Sequence, residues 1–220
     1  SNLIFWETNF PYFMKKAIVA SLFLCLGISN LNAQVTFTPG VRGGLNLSTI
    51  TQTDGTYRPD FYFGVFGAIN FTKVYTLQPE INYSRQGVND ILLYDYNSNS
   101  NEYYLKNDDI SVNYISLSAM NKFTIANRFQ IMVGPTLDFV VGKDSEYIYS
   151  DADLAVNFGL GYKFPNGISV EARFKKGIAE VLYNNYYYND NDNYFWGDWN
   201  TNNVFQLGVS YAFNLTSKKE

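Results

Sequence analysis

From Gln34 onward the chain alternates bulky apolar residues with small or polar ones at a period of two, in eight successive runs. That period is the mark of strands with one apolar and one polar face. The first run covers about 37–50. In the second, about 60–72, Phe61, Phe63, Val65, Ile69 and Phe71 share one face, and Gly64, Ala68, Asn70 and Thr72 share the other. Lys73 leads into the third, where Tyr75, Leu77, Pro79, Ile81 and Tyr83 alternate with Thr76, Gln78, Glu80, Asn82 and Ser84. Pro79 removes a ladder hydrogen bond, which predicts a bulge or local irregularity there. The fourth run, about 112–123, reaches the fifth, 129–142, through Ile125-Ala126-Asn127. The sixth, about 153–163, turns at Pro165-Asn166-Gly167, a hairpin signal, into the seventh, about 168–175. The eighth ends in Gln206-Leu207-Gly208-Val209-Ser210-Tyr211-Ala212-Phe213.

Connections between the runs are short after the second, fourth and sixth. They are long after the first, third, fifth and seventh, at about 51–59, 87–111, 143–152 and 182–203. An even strand number with short turns at one end and long loops at the other is the arrangement of a bacterial outer-membrane barrel. Each run is long enough for a tilted span of roughly 9 to 11 residues, and closure removes the open edges that lipid cannot satisfy. The expected fold is therefore all-β, an eight-stranded antiparallel up-and-down transmembrane β-barrel, with long loops extracellular and termini periplasmic. The competing fold is a soluble barrel of lipocalin type, whose apolar face would point inward around a ligand.

The segment before Gln34 has a different character. Met14-Lys15-Lys16 followed by the apolar stretch 17–28 and by Leu31-Asn32-Ala33 reads as a signal peptide, 14–33. Its apolar core is far shorter than the roughly 20 residues of a spanning helix. Residues 1–13 precede the expected initiator Met14 and read as a mis-assigned start or an added extension. The barrel is expected over 34–215, with 216–220 as a short tail. Cys25, the only cysteine, falls inside the signal's apolar core, and the chain has no histidine. The region from Gln34 is thus closed to disulfides, thiolate or imidazole metal sites, and His- or Cys-based catalysis. Taking away Glu7, Lys15 and Lys16 leaves 14 basic and 19 acidic residues, a balance with no footprint for nucleic acid. No phosphate loop or metal-ligand spacing is present, so neither enzyme activity nor a cofactor is expected.

Charge on the polar faces falls at Arg42, Lys122, Lys163, Arg173 and Lys175 against Glu80, Asp138, Asp153 and Glu171. An eight-stranded barrel has an interior just wide enough for side chains to fill it. These charges are accordingly expected to pair across a plugged lumen, the alternative being a narrow ion path. The last long loop carries Tyr186, Tyr187, Tyr188, Asp190, Asp192, Trp196 and Trp199, rigid amphipathic rings mixed with polar groups that suit recognition of a surface protein or glycan, the alternative being a solvated loop whose aromatics rest on the barrel rim. Asp190 and Asp192 lack the glycine and terminal Glu of an EF-hand loop. In the eighth run Gln206, Gly208, Tyr211 and Phe213 form the polar, glycine, aromatic, aromatic pattern of a C-terminal signal read by the barrel assembly machinery.

Three stretches carry a family likeness: Gly40-Val41-Arg42-Gly43-Gly44-Leu45-Asn46, Leu77-Gln78-Pro79-Glu80-Ile81-Asn82-Tyr83-Ser84-Arg85-Gln86-Gly87, and Asn113-Tyr114-Ile115-Ser116-Leu117. With them the chain resembles the PorT-family outer-membrane β-barrel domains of the Bacteroidetes. The resemblance implies an integral barrel among outer-membrane lipid, and its namesake is linked to a secretion and gliding apparatus. The resulting expectation is a monomeric, non-enzymatic barrel acting in binding or envelope-complex assembly, with a narrow pore or a soluble periplasmic ligand-binding barrel as alternatives.

Overall fold

A computed structural model describes residues 35–51, 53–97, 102–144, 148, 150–178 and 200–213. The expected signal peptide and the extension before it, most of the last long loop and the tail lie outside the described residues. Eight strands follow one another in chain order: β1 (Thr36–Ile50), β2 (Thr56–Asn70), β3 (Tyr75–Asn97), β4 (Glu102–Ile125), β5 (Phe129–Lys143), β6 (Ala152–Lys163), β7 (Ile168–Gly177) and β8 (Asn202–Ala212). Each pairs antiparallel with the next, and β8 returns to β1, closing the barrel.

Closure is staggered. Stepping through directly opposed residues from Leu47 to Phe205, Phe174, Phe158, Val133, Asn121, Leu77 and Ile69 returns to β1 at Phe37, ten residues from the start. A stagger of that size on eight strands tilts them by about 40°.

Alternation assigns the two faces. Leu45, Phe63, Val65, Phe158, Leu160 and Val209 stand exposed on the outside, Leu45 at 64% and Leu160 at 65%. Their chain neighbours Asn46, Tyr62, Asn157 and Ser210 are buried inside. The soluble ligand-carrier alternative required the reverse, so it is overturned: the apolar face is the outer one. Near the short turns the wall carries a collar of rings. Phe71 stacks on Tyr75 at 5.7 Å, Tyr75 meets Phe123 at 5.4 Å, and Tyr162 meets Phe129 and Phe164 edge-on at 5.3 and 5.0 Å.

The short turns have local causes. Ala126 and Asn127 both adopt positive φ, 50° and 60°, and Arg128 N–H closes onto Ile125 C=O at 3.1 Å. This two-residue turn has the primed geometry that matches strand twist. Gly167, at φ 87°, ends the β6–β7 turn where a side chain would be strained. At the β2–β3 turn Thr72 Oγ1 accepts the N–H groups of Val74 and Tyr75.

The irregularity expected at Pro79 takes the form of a lapse in one ladder rather than a bulge: the β2–β3 pairing breaks between Phe66/Glu80 and Ile69/Leu77 with its register unchanged, while Pro79 stays paired with Ala119 on its other side. Register shifts occur instead at the rim near the long loops, in β2 between Tyr57 and Tyr62, in β3 between Val88 and Ile91, and at Asn113/Tyr114. The segment 87–111 is not a loop. β3 and β4 stay paired as far as Asn97 and Glu102 and project beyond the wall as a hairpin whose connection is only 98–101. Likewise β2 begins at Thr56, so the first connection is 51–55 rather than 51–59.

Ala126 holds a left-handed conformation that costs an L-residue about 1 kcal/mol. Ala126→Gly should therefore raise the urea unfolding midpoint of the vesicle-inserted barrel, corresponding to a gain of about 0.5–1 kcal/mol.

Candidate functional site

The lumen is built in layers. At its centre Glu80 of β3 is held by two arginines, one from the opposite wall and one from two strands along. Arg173 of β7 donates to both carboxylate oxygens, Nη1 to Oε2 and Nη2 to Oε1, each at 2.9 Å, and Arg42 of β1 reaches Oε2 at 2.5 Å. Gln78 adds a donor to Oε1 at 2.8 Å. Glu171 is the second anion. It accepts from Arg173 at 2.7 Å, Lys122 at 2.7 Å and Ser210 at 3.2 Å. The two-pronged guanidinium contact fixes direction as well as distance, because both donors must align with both oxygens.

Room for this cluster comes from glycine. Tyr62 points inward, fully buried, and its hydroxyl accepts from Arg42 Nη2 at 3.1 Å. A Cβ at Gly208 would overlap that hydroxyl. The glycine of the expected assembly signal thus also serves the lumen, and Gln206 beside it donates to Asn46 Oδ1 at 2.9 Å. Tyr211 and Phe213 lie outside in the ring collar, 5.2 Å apart.

Toward the long loops Lys175 pairs with Asp138, and Asn202 donates to Tyr114 Oη at 3.1 Å and to Asp153 at 3.3 Å. Eight of the nine expected lumen charges are therefore brought inside. Lys163 is the exception. It is the last residue of β6, so inward alternation delivers it to the open mouth of the barrel, where it is exposed. Without it the interior holds four cations and four anions. Between the central cluster and the Lys175–Asp138 pair the cavity amounts to about 10 Å³, so side chains fill the lumen at that level.

Above the charges lies an apolar cap. Ile50, Val88, Ile91, Leu93, Ile110, Val112, Tyr114 and Ile148 pack together at the loop end, none more than 2% exposed. The inner face of the projecting hairpin supplies most of them, and Ile148 comes from the β5–β6 connection, where its carbonyl accepts from Lys143 at 2.6 Å. The hairpin is thus a ledge held through its packed inner face, with its outer side exposed. Tyr103, at 74% exposed, Tyr104 and Leu105 stand out from it. Tyr104 donates to Asp95 at 3.0 Å, a bond that pushes its phenol pKa up. Lys106 contacts Asp108 at 2.7 Å and holds that carboxyl below the usual range.

Sequence reasoning missed Tyr62 and the cap. Tyr62 was hidden between Phe61 and Phe63, and the signal that could have found it is the pair of small residues on the facing strands, Gly44 and Gly208. The expected recognition residues Tyr186, Tyr187, Tyr188, Asp190, Asp192, Trp196 and Trp199 lie outside the described residues. Among the described residues no group of three or more Asp, Glu, His or Cys side chains is arranged to hold a metal ion.

The model of a family described as "Outer membrane protein beta-barrel domain" matches residues 18–213. No curated protein matches the chain in sequence. Among solved structures, Neisserial surface protein A aligns at 13% identity and a TM-score of 0.49, covering 82% of this chain and all of that one. Ail, the attachment invasion locus protein of Yersinia pestis, in complex with the heparin analogue sucrose octasulfate, aligns at 13% identity and 0.45, with the same coverage. A de novo designed transmembrane β-barrel aligns at 10% identity and 0.40, over 80% of this chain and 95% of that one.

Removing one partner of a buried ion pair leaves an uncompensated charge. Glu80→Gln should cost about 3–5 kcal/mol, read from urea unfolding in vesicles. A Glu80→Met/Arg173→Met double variant should cost less than the two single changes together. An unchanged midpoint in Glu80→Gln would show that the cluster does not hold the barrel together.

Proposed function

The chain belongs to the outer-membrane protein β-barrel domain family, and from that premise we propose a monomeric, non-enzymatic surface barrel that works through its long-loop end rather than through its lumen. The observation that carries this reading is the filled interior. Balanced charges leave a cavity of about 10 Å³, and the apolar cap lies above it. A solute path would need hydrated space along the whole axis. What remains for chemistry is the hairpin ledge with Tyr103, Tyr104 and Leu105, together with the Tyr- and Trp-rich segment 182–199. Such rings bind by rigid contact area at low conformational cost, which suits a surface protein or a glycan, or docking within an envelope complex. The PorT subgroup, with its link to secretion and gliding machinery, is the finer assignment that we attach to this reading. In it the long loops are extracellular and the termini periplasmic, and Gln206, Gly208, Tyr211 and Phe213 are read by the assembly machinery.

Planar-bilayer recording tests the sealed lumen. No steady unitary conductance is expected, and a stable open level in the purified protein would replace this reading with the narrow pore. Orientation is tested by cysteine labelling, since the only native cysteine is Cys25. Tyr103→Cys should react with an impermeant maleimide on intact cells, and Lys73→Cys only after lysis. The opposite pattern would invert the barrel.

A further inference from the structure

The short-turn end has a charge pattern that the lumen and the loops do not use. Two of its turns carry Lys73 and Arg128 and the end of β6 carries Lys163, all exposed, with no acidic residue among the described residues of that end. At the long-loop end acidic side chains outnumber basic ones among the described residues. Arg128 and Lys163 lie on adjoining turns, tied by Lys163 N–H to Arg128 C=O at 2.8 Å. Arg128 is also oriented. Its Nη1 donates to Tyr162 Oη at 2.8 Å, and the Tyr162 ring is wedged edge-on between Phe129 and Phe164. Lys73 lies between Phe71 and Tyr75, which stack on each other.

We propose that this rim binds the phosphate headgroups of anionic phospholipids, with Arg128 as the principal contact and Lys73 and Lys163 extending the surface around the barrel mouth. The ring collar marks the depth at which hydrocarbon gives way to headgroups. A cation within a residue or two of that collar lies at the level of lipid phosphates. Arg128 has one donor engaged by the Tyr162 hydroxyl, and the rest of its exposed fork matches phosphate oxygens. A free anion would satisfy the charge but would leave the flanking rings unused, whereas a phospholipid meets both. Each such cation adds about 1 kcal/mol of attraction to an anionic surface, about fivefold in affinity.

The inference rests on the membrane-spanning reading and not on orientation. The test is therefore made in nanodiscs of phosphatidylcholine with a minor fraction of phosphatidylglycerol in both leaflets. Native mass spectrometry of the released barrel should show phosphatidylglycerol retained over phosphatidylcholine by at least about fivefold. Lys73→Gln/Arg128→Gln/Lys163→Gln should lose that preference, and Lys106→Gln, on the hairpin, should keep it. Boiled and unboiled gel mobility verifies that each variant is folded. If the triple variant fails to fold, Arg128→Gln alone should lower the retention by about fivefold. Equal retention by the native protein and a folded variant overturns the proposal. Loss of the bound lipid on adding millimolar inorganic phosphate also overturns it, because the rim would then be a site for a free anion. A protein that fails to enter nanodiscs at all would instead refute the membrane-spanning reading.

Discussion

A strand inside hydrocarbon has no water to satisfy its N–H and C=O groups, so every one of them must find a partner on a neighbouring strand. In this chain a ring of eight antiparallel pairings that ends where it began meets that demand along most of the wall, and the rest of the molecule follows from that ring. Alternation along each strand sends one set of side chains to lipid and the other into a tube too narrow for bulk water. The inner set has to fill space and balance charge at once. Glycines set against Tyr62, and two arginines set against two glutamates, are the local solutions.

Charged residues in such a place are costly unless each is paired and hydrogen-bonded. The central cluster joins strands on opposite sides of the barrel, because Glu80 and Arg173 belong to β3 and β7. It works as a set of cross-braces against flattening of the tube. Above it, the cap exchanges charge for apolar packing where the wall ends and the hairpin begins. The hairpin is thereby anchored through its own inner face, which makes it a fixed platform instead of a solvated loop.

The wall was legible in the sequence because a period of two is unambiguous where one face meets lipid: Phe61, Phe63 and Val65, or Leu154, Val156 and Phe158, permit one register only. The inward charges were legible for the same reason, and Lys163 failed because periodicity says which way a residue points but not where the wall stops. The hairpin was illegible for a related reason. The register shift between Val88 and Ile91 breaks the alternation just as the strand leaves the membrane, and the polar run Asn97-Ser98-Asn99-Ser100-Asn101 suggests a loop. The apolar signal persisted in Ile91, Leu93 and Ile110, but two-residue parity cannot be followed across an extra residue. Pro79 was legible in part: its missing N–H costs one stretch of a single ladder, as expected, but without displacing the strand into a bulge.

The seam between β1 and β8 carries a further consequence. Seven of the eight pairings join strands adjacent in sequence and can form hairpin by hairpin. The eighth joins partners such as Asn46 and Gln206, 160 residues apart. Long-range pairing of that kind is slow, because chain entropy is lost before any contact compensates for it. The barrel therefore has a late folding step of its own: until β8 arrives, β1 presents an unsatisfied edge, and the nearly finished sheet stays open to pairing with another chain.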